Sequence, residues 1–264
     1  MKRFLPFVKK DPLVSVIRLN GMIAAGPRGL NDAGTAEMIT RAFSRGKPVA
    51  VALVINSPGG SPAQSSLIAA RIQRLATEKK LPVTAFVEDV AASGGYWLAC
   101  AADDIIADEN SIVGSIGVIS SSFGAQDLIS RIGVERRVHT SGGSKSFLDP
   151  FKPEKAEDVA RLLELQEQIH ENFIAHVKSR RGDRLGYHED LFSGRVWVGR
   201  GAADVGLADA TGHLVPTMKE RHGDKVRFAI HGPRRNLLRR FGIEATAQVS
   251  AGLEERALWA RYGL

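Results

Sequence analysis

Two glycine-rich turns hold the residues best suited to chemistry. Residues 55–60 (INSPGG) and residues 91–97 (AASGGYW) each follow an apolar run and precede a helical pattern. A serine at such a junction, as Ser93 would be, presents its hydroxyl at the carboxyl end of a strand, where α/β proteins bind ligands. Backbone N–H groups in glycine turns can also stabilise an oxyanion. Ser93 is therefore a candidate nucleophile, although N-cap serines and glycine turns commonly serve structure alone.

A serine hydroxyl needs a base before it can act as a nucleophile. Histidine is the usual base, and the chain has seven: His139, His170, His176, His188, His213, His222 and His231. None of them lies in a glycine-rich context, yet chain order does not exclude a Ser–His–Asp triad. Lys145, in residues 140–145 (TSGGSK), is the other candidate. A lysine serves as a base only where desolvation favours its neutral amine, with a hydroxyl such as that of Ser115 to hold it.

The elements that must position these turns follow from hydrophobic periodicity. Residues 12–19, 49–55 and 82–87 are short, apolar and rich in β-branched side chains, which predicts strands, the last two buried on both faces. Residues 33–43 and 63–77 carry apolar side chains at helical spacing. Strands separated by helices of this length predict βαβ units and a parallel sheet.

Further along the chain the same alternation continues. A small-residue helix is predicted from Ser93, a strand at residues 104–107, a helix at 127–131, a strand at 134–139 and a long helix at 153–180. We place a core domain at residues 1–230. A basic tail with a C-terminal helix at 253–262 forms an appendage, residues 231–264.

Composition limits the class of protein. The 264 residues carry a net charge of +7, and the single cysteine, Cys100, lies in an apolar stretch typical of a buried structural thiol. The N-terminus lacks the apolar region of a signal peptide, and the longest apolar run is far shorter than a membrane span. We expect a cytoplasmic chain. Lysines near the N-terminus and the arginines at 234–240 leave open a peripheral, electrostatic membrane contact.

Taken together, the motifs resemble a known family. INSPGG, AASGGYW, GSIGV (114–118) and SGGSK (141–145), followed by GRVW (194–197) and GAADVGLAD (201–209), are similar in order and spacing to the signal-peptide-peptidase (SppA) family of Ser–Lys peptidases. The resemblance covers roughly residues 12–220. It implies an α/β fold of the ClpP/crotonase type, with stacked ββα units.

The resemblance also implies a role for each site residue. Ser93 would attack the scissile carbonyl, and Lys145 would take its proton and later protonate the leaving amine. Gly60 and Gly94 would supply the N–H groups of the oxyanion hole, and Ser115 would orient Lys145. It implies peptide or signal-peptide-like substrates, a homo-oligomer, and neither a metal nor another cofactor.

Two departures and three rival functions accompany this interpretation. Many family members have an N-terminal membrane-spanning segment and an aspartate after the lysine, whereas this chain shows no such segment and has Ser146.

A crotonase-type acyl-CoA enzyme would use a similar oxyanion hole, typically with a glutamate as acid–base. An inert scaffold could keep the fold, but the intact Ser93 and Lys145 argue against it. A nucleic-acid binder is suggested by charge alone and lacks a recognised motif.

Overall fold

The structure is a computed structural model that describes residues 11–26, 29–143, 145–232 and 256–264. The chain divides into two compact units. Unit 1 comprises Met1–Ile116 and Ile174–Leu264, and unit 2 comprises Gly117–Phe173.

In its described residues, unit 1 is built on one sheet of eight strands. They are β1 (Leu13–Asn20), β2 (Ala50–Ser57), β3 (Val83–Ala92), β4 (Asp104–Ala107), β5 (Ile112–Gly114), β6 (Val196–Val198), β7 (Ala210–Thr211) and β8 (Arg227–His231). The main path runs β6-β5-β3-β2-β1-β8, and β4 pairs with both β3 and β7. All pairs are parallel except β5 with β6. The predicted α/β class is confirmed.

Burial explains why the central strands form where they do. All residues of β2 are buried except Asn56, and β1 and β3 flank it in parallel register. A strand covered on both faces must be continuously apolar, which is the pattern that predicted it. The predicted strands at residues 12–19, 49–55 and 82–87 correspond to β1, β2 and β3, with β3 extending further to Ala92.

Helices of unit 1 connect these strands. They are α1 (Asp32–Ser44), α2 (Pro62–Lys79), α3 (Gly94–Ala99), α6 (Gly199–Asp204) and α7 (Leu214–His222). Asn31 caps α1 by accepting a hydrogen bond from the Gly34 N–H, and Ser61 does the same for α2 at Gln64. Asp32 and Arg71 join the two helices through a bidentate ion pair with both contacts at 2.6 Å.

Unit 2 is helical and irregular. It contains α4 (Gln126–Arg131) and the first part of α5 (Ala156–Arg181), whose last turns belong to unit 1. The predicted strand at residues 134–139 is wrong, because this segment is irregular and almost wholly exposed. Its three consecutive charged residues leave it no apolar face to bury, and Arg136 and Arg137 pair instead with Asp149 and Glu135.

Two earlier expectations concern the C-terminal region. Residues 256–260 are helical, whereas the start of the predicted helix at 253–255 and most of the basic tail lie outside the described residues. The division at residue 230 therefore stays a prediction. Among the described residues, no helix is long and apolar enough to cross a membrane.

A buried arginine fastens the end of α5 to the sheet. The Arg181 side chain is only 2% exposed, and its guanidinium contacts both carboxylate oxygens of Asp209 at 2.7 and 3.1 Å. Its Nε–H also donates to the Gly206 carbonyl, and the Asp209 carboxylate accepts from the Ile105 N–H in β4. Burial raises the pKa of Asp209, but the hydrogen bonds from Arg181 and Ile105 outweigh it and hold that pKa below its usual value.

Removing one partner of this pair should be costly. Asp209→Asn leaves the Arg181 charge buried without a counter-ion, so we expect the free energy of unfolding in urea to fall by about 3 kcal/mol. Glu109→Gln, which breaks the exposed pair with Arg200, is the matched control and should cost less than about 1 kcal/mol. Because folding lowers the pKa of Asp209, its stabilisation should be present at neutral pH and lost as pH falls below about 4. Equal losses in both variants would contradict this account.

Candidate functional site

Ser93 occupies the junction between β3 and α3 with a strained backbone. Its φ of 51° and ψ of −121° are rare for a residue with a side chain. The Ser93 N–H donates to the Gly114 carbonyl at 2.8 Å, and its carbonyl accepts from the Trp97 N–H at 3.0 Å. The backbone is thus held from β5 on one side and from α3 on the other. Such strain persists only where surrounding contacts enforce it, and it is most frequent at functional sites.

The Gly59–Gly60 turn lies at the end of β2 and leads into α2. Ile23 bridges it from both sides, since its N–H donates to the Gly59 carbonyl at 2.8 Å and its carbonyl accepts from Ser61 at 2.7 Å. A Cβ at Gly60 would lie 2.1 Å from the Ile23 carbonyl oxygen, so only glycine fits there. The Gly60 N–H takes part in neither of these two hydrogen bonds, and it has no acceptor among the described residues.

The two glycine turns are in direct contact. A Cβ at Gly59 would lie 2.8 Å from the Gly94 nitrogen and 2.9 Å from the Ser93 Cβ. A Cβ at Gly94 would lie 3.4 Å from the Gly60 nitrogen. The N–H groups of Gly60 and Gly94 are therefore neighbours beside Ser93, and within the described part of the chain neither one is bonded. Two free donors next to a hydroxyl form the arrangement that stabilises an oxyanion.

Electrostatics favour negative charge at the same place. The Gly59–Gly60 turn precedes the N-terminus of α2, an 18-residue helix that begins with the Ser61 cap and Pro62. The partial positive charge at that end of a helix attracts anions. The donors and the helix end thus act in the same direction.

Two buried serines that the motif analysis did not single out support this geometry. Ser57 is fully buried, and its hydroxyl donates to the Gly21 carbonyl and accepts from the Gly59 N–H. Ser65 donates to the Ser61 carbonyl, and its Oγ would meet a Cβ at Gly94 at 2.4 Å. Ser57 precedes the two glycines of INSPGG and Ser65 lies in the helix that follows them, and these sequence positions do not reveal the contacts with Gly21 and Gly94.

Ser115 lies beside the strand that holds Ser93. It follows Gly114, whose carbonyl accepts from Ser93, and its own φ is 52°. Its N–H donates to the Arg195 carbonyl at 2.9 Å, which ties it to the segment before β6. Its hydroxyl is half-buried, and its predicted role toward Lys145 stays a prediction.

Lys145 belongs to unit 2. Its backbone N–H donates to the Gly142 carbonyl at 3.3 Å, and Lys145 is exposed. The catalytic role of the lysine stays a prediction.

Two other side chains of unit 1 that could act as a base or a nucleophile, His176 and Cys100, are held in other contacts. The His176 ring stacks on Trp97 with centroids 4.7 Å apart, and its Nε2 lies 3.2 Å from the Trp97 carbonyl oxygen. Burial lowers the pKa of His176, so the ring is neutral and donates through Nε2. The Cys100 thiol is buried, which raises its pKa to about 12 and confirms the predicted structural thiol. Among the described residues, no three metal-ligating side chains form a metal site.

Comparison with known proteins adds a second line of evidence. A model of peptidase family S49 matches residues 75–225, more than half of the chain. The chloroplastic serine protease SPPA of Arabidopsis thaliana is 34% identical over 212 residues, covering 76% of this chain and 31% of that protein. The whole chain is 48% identical, over 286 residues, to 39% of a Brucella melitensis protein named Na(+)/H(+) antiporter NhaA.

Among solved structures, a mutant of the 1510-N membrane-bound stomatin-specific protease matches with a TM-score of 0.49 and 16% identity. The match covers 84% of this chain and 99% of that one. The chain spans about a third to a half of the length of these two curated relatives and of several others that it matches.

Ser57 should act as a positioning residue for the Gly60 donor. Ser57→Ala removes two hydrogen bonds that fix the Gly59–Gly60 turn, so we expect kcat for a fluorogenic peptide to fall about tenfold with little change in KM. Ser44→Ala, which removes a similar bond to Thr40 on the exposed end of α1, is the control and should leave kcat unchanged. An unaltered kcat for Ser57→Ala would show that the turn keeps its geometry without the hydroxyl.

Proposed function

The chain belongs to peptidase family S49, and on that premise we propose that it hydrolyses peptide bonds through an acyl-enzyme formed on Ser93. In the first step the Ser93 Oγ attacks the scissile carbonyl carbon while Lys145 accepts the hydroxyl proton. The resulting oxyanion is bound by the N–H groups of Gly60 and Gly94. Lys145 then gives the proton to the leaving amine as the C–N bond breaks. Water then attacks the acyl carbon while Lys145 takes its proton, and Lys145 returns that proton to the Ser93 Oγ as the ester bond breaks.

The observation that carries this proposal is the pair of N–H groups beside Ser93 that have no acceptor in the part of the chain the structure describes. The strained backbone of Ser93 and the N-terminus of α2 favour the same reaction, because both are of use where negative charge develops. A packing role for the serine would require neither the strain nor the two free donors.

Lysine is preferred to histidine as the base for two reasons. His176, the histidine that contacts α3, already donates to the Trp97 carbonyl through Nε2. Ser115 carries a half-buried hydroxyl next to the strand residue that holds Ser93, where it could accept from an ammonium group. The family resemblance of SGGSK supplies the identity of the lysine, Lys145.

A crotonase-type acyl-CoA enzyme is the second candidate and has less support. It would need a free carboxylate near the oxyanion hole to act as acid–base. Two carboxylates precede Ser93 on β3, and both have partners: Glu88 contacts Arg18, and Asp89 accepts from the Asn56 amide. Incubation with an acyl-CoA beside a fluorogenic peptide separates the two functions.

The name antiporter belongs to a polypeptide of which this chain matches 39%, whereas the S49 model covers more than half of this chain. We therefore assign the chain peptidase activity and propose extended peptides as its substrates. No transport activity is assigned.

The dyad can be tested by removing each member. Ser93→Ala should abolish peptide hydrolysis and keep the fold, because it removes only a hydroxyl. Lys145→Ala should be equally inactive, and so should Lys145→Arg, since a guanidinium does not lose its proton at working pH.

His176→Ala and His139→Ala are the matched controls for this series. Both should retain hydrolysis, because neither imidazole takes part in the proposed proton transfer. Near-normal turnover in Lys145→Ala, together with no activity in one of the histidine variants, would contradict the Ser–Lys dyad and favour a triad that includes that histidine.

We also propose that the chain forms a homo-oligomer through unit 2. Large apolar side chains on this unit are exposed, including Phe123 at 92%, Ile119 at 66% and Leu128 at 62%. Exposed apolar side chains grouped in one small unit are typical of an interaction surface. A second copy of the chain is the occupant that the family resemblance favours.

Charge placed on this surface should dissociate the oligomer. We expect light scattering at micromolar concentration to give a multiple of the 28.5 kDa chain mass for the wild type, and a smaller mass for Phe123→Asp/Leu128→Asp. Leu67→Asp, at an exposed position of α2, is the control and should keep the wild-type mass. A wild-type mass of 28.5 kDa would exclude self-association under these conditions.

A further inference from the structure

A cavity lies at the β8 edge of the sheet. It has a volume of about 360 Å³ and is lined by the last turn of α1, the start of β1 and the end of β8. Its polar lining consists of Arg41, Arg45 and His231, and Leu13, Ala229 and Ile230 supply apolar walls. No residue of the Ser93 site belongs to this lining. The sequence motifs discussed above do not include it either.

Two nitrogens at this cavity are buried without partners. The Arg41 Nε and the His231 Nε2 have no hydrogen bond within the described part of the chain. Buried donors nearly always have a hydrogen-bond acceptor. A donor without one costs free energy unless a group outside the chain accepts its hydrogen bond. Both atoms belong to side chains of residues that line this one cavity, which points to a ligand with several acceptor oxygens.

The charge of the cavity fits an anion. Two guanidinium groups line it, and the only carboxylate paired with either among the described residues is the largely exposed Glu37, which lies 3.5 Å from Arg41. Burial lowers the pKa of His231, and the positive charges of Arg41 and Arg45 lower it further. The positive charges of the three side chains therefore repel one another, and a bound anion would offset this repulsion.

We propose that this cavity binds a phosphate-type oxyanion, with Arg41, Arg45 and His231 as its donors. Forked guanidinium groups match phosphate oxygens in pairs, and two of them suit a doubly charged anion better than a single carboxylate. The anion is either a free phosphate or the headgroup of a lipid. The sequence flanking the cavity is basic on both sides, with Lys9 and Lys10 before Asp11 and Arg234 and Arg235 after Gly232.

The direct test is titration of the full chain with inorganic phosphate. Calorimetry should show binding, and the NMR signal of the His231 ring should report a raised pKa as phosphate is added. Arg41→Gln/Arg45→Gln should weaken the affinity at least about tenfold, because each removes a charged hydrogen-bond donor. Arg74→Gln/Arg200→Gln, which removes two exposed guanidinium groups of α2 and α6, matches the change in net charge and should bind like the wild type.

A second arm identifies the source of the phosphate. Co-sedimentation would use phosphatidylcholine vesicles with and without phosphatidic acid. Loss of phosphatidic acid binding in the cavity variant, together with loss of phosphate binding, supports a lipid headgroup. Retained vesicle binding with lost phosphate binding supports a free anion.

Fold integrity is controlled independently of the ligand. Arg45 is exposed, so Arg45→Gln alone should fold normally and still weaken phosphate binding. All of these variants should keep peptide hydrolysis, because none of them touches the Ser93 site. Equal phosphate affinity in the cavity and control variants, or a His231 signal that phosphate does not shift, would overturn the proposal.

Discussion

Close contact between two backbone turns is the constraint on which the site depends. Gly59 lies against Ser93 and Gly94 at a distance that leaves no room for a Cβ, and Gly95 lies closer still to the Ser57 carbonyl. Glycine therefore serves two purposes here: it permits the approach, and it leaves backbone N–H groups uncovered. A side chain at any of these positions would push the two turns apart and so move the N–H donors away from the serine.

The sheet and α5 make this contact reproducible. β2 and β3 run parallel, and Ser57 pairs with Ala91 after a shift in register, so both turns leave the same edge of the sheet. β5 then holds the Ser93 N–H through Gly114. Behind the serine, α3 is short, and α5 secures its C-terminal end: Arg180 donates to the carbonyls of Cys100 and Ala102. The buried Arg181–Asp209 pair fixes α5 in turn.

Local patterns predicted what is local. Continuous apolar runs located β1, β2 and β3, because strands buried on both faces have no polar positions. Glycine turns located Ser93, Gly60 and Gly94, whose contact the parallel order of strands implies. The hydrogen bonds of Ser57, the pairing of β5 with β6 and the partners of Arg181 join residues far apart in the chain, and no periodicity encodes them. Residues 134–139 do not form a strand because three consecutive charged residues leave this segment no apolar face to bury.

Ser93 adopts a backbone conformation that glycine adopts without strain, and holding a serine there costs on the order of 1–3 kcal/mol. Under the proposed function, selection for hydrolysis is what keeps a side chain at this position, since folding alone would favour its loss. In a descendant of this chain freed from that selection, glycine at position 93 would be a stabilising change that requires no compensation. Under the proposed function, a serine at position 93 therefore indicates that the site is still in use, because a site no longer under selection would be expected to lose this serine early.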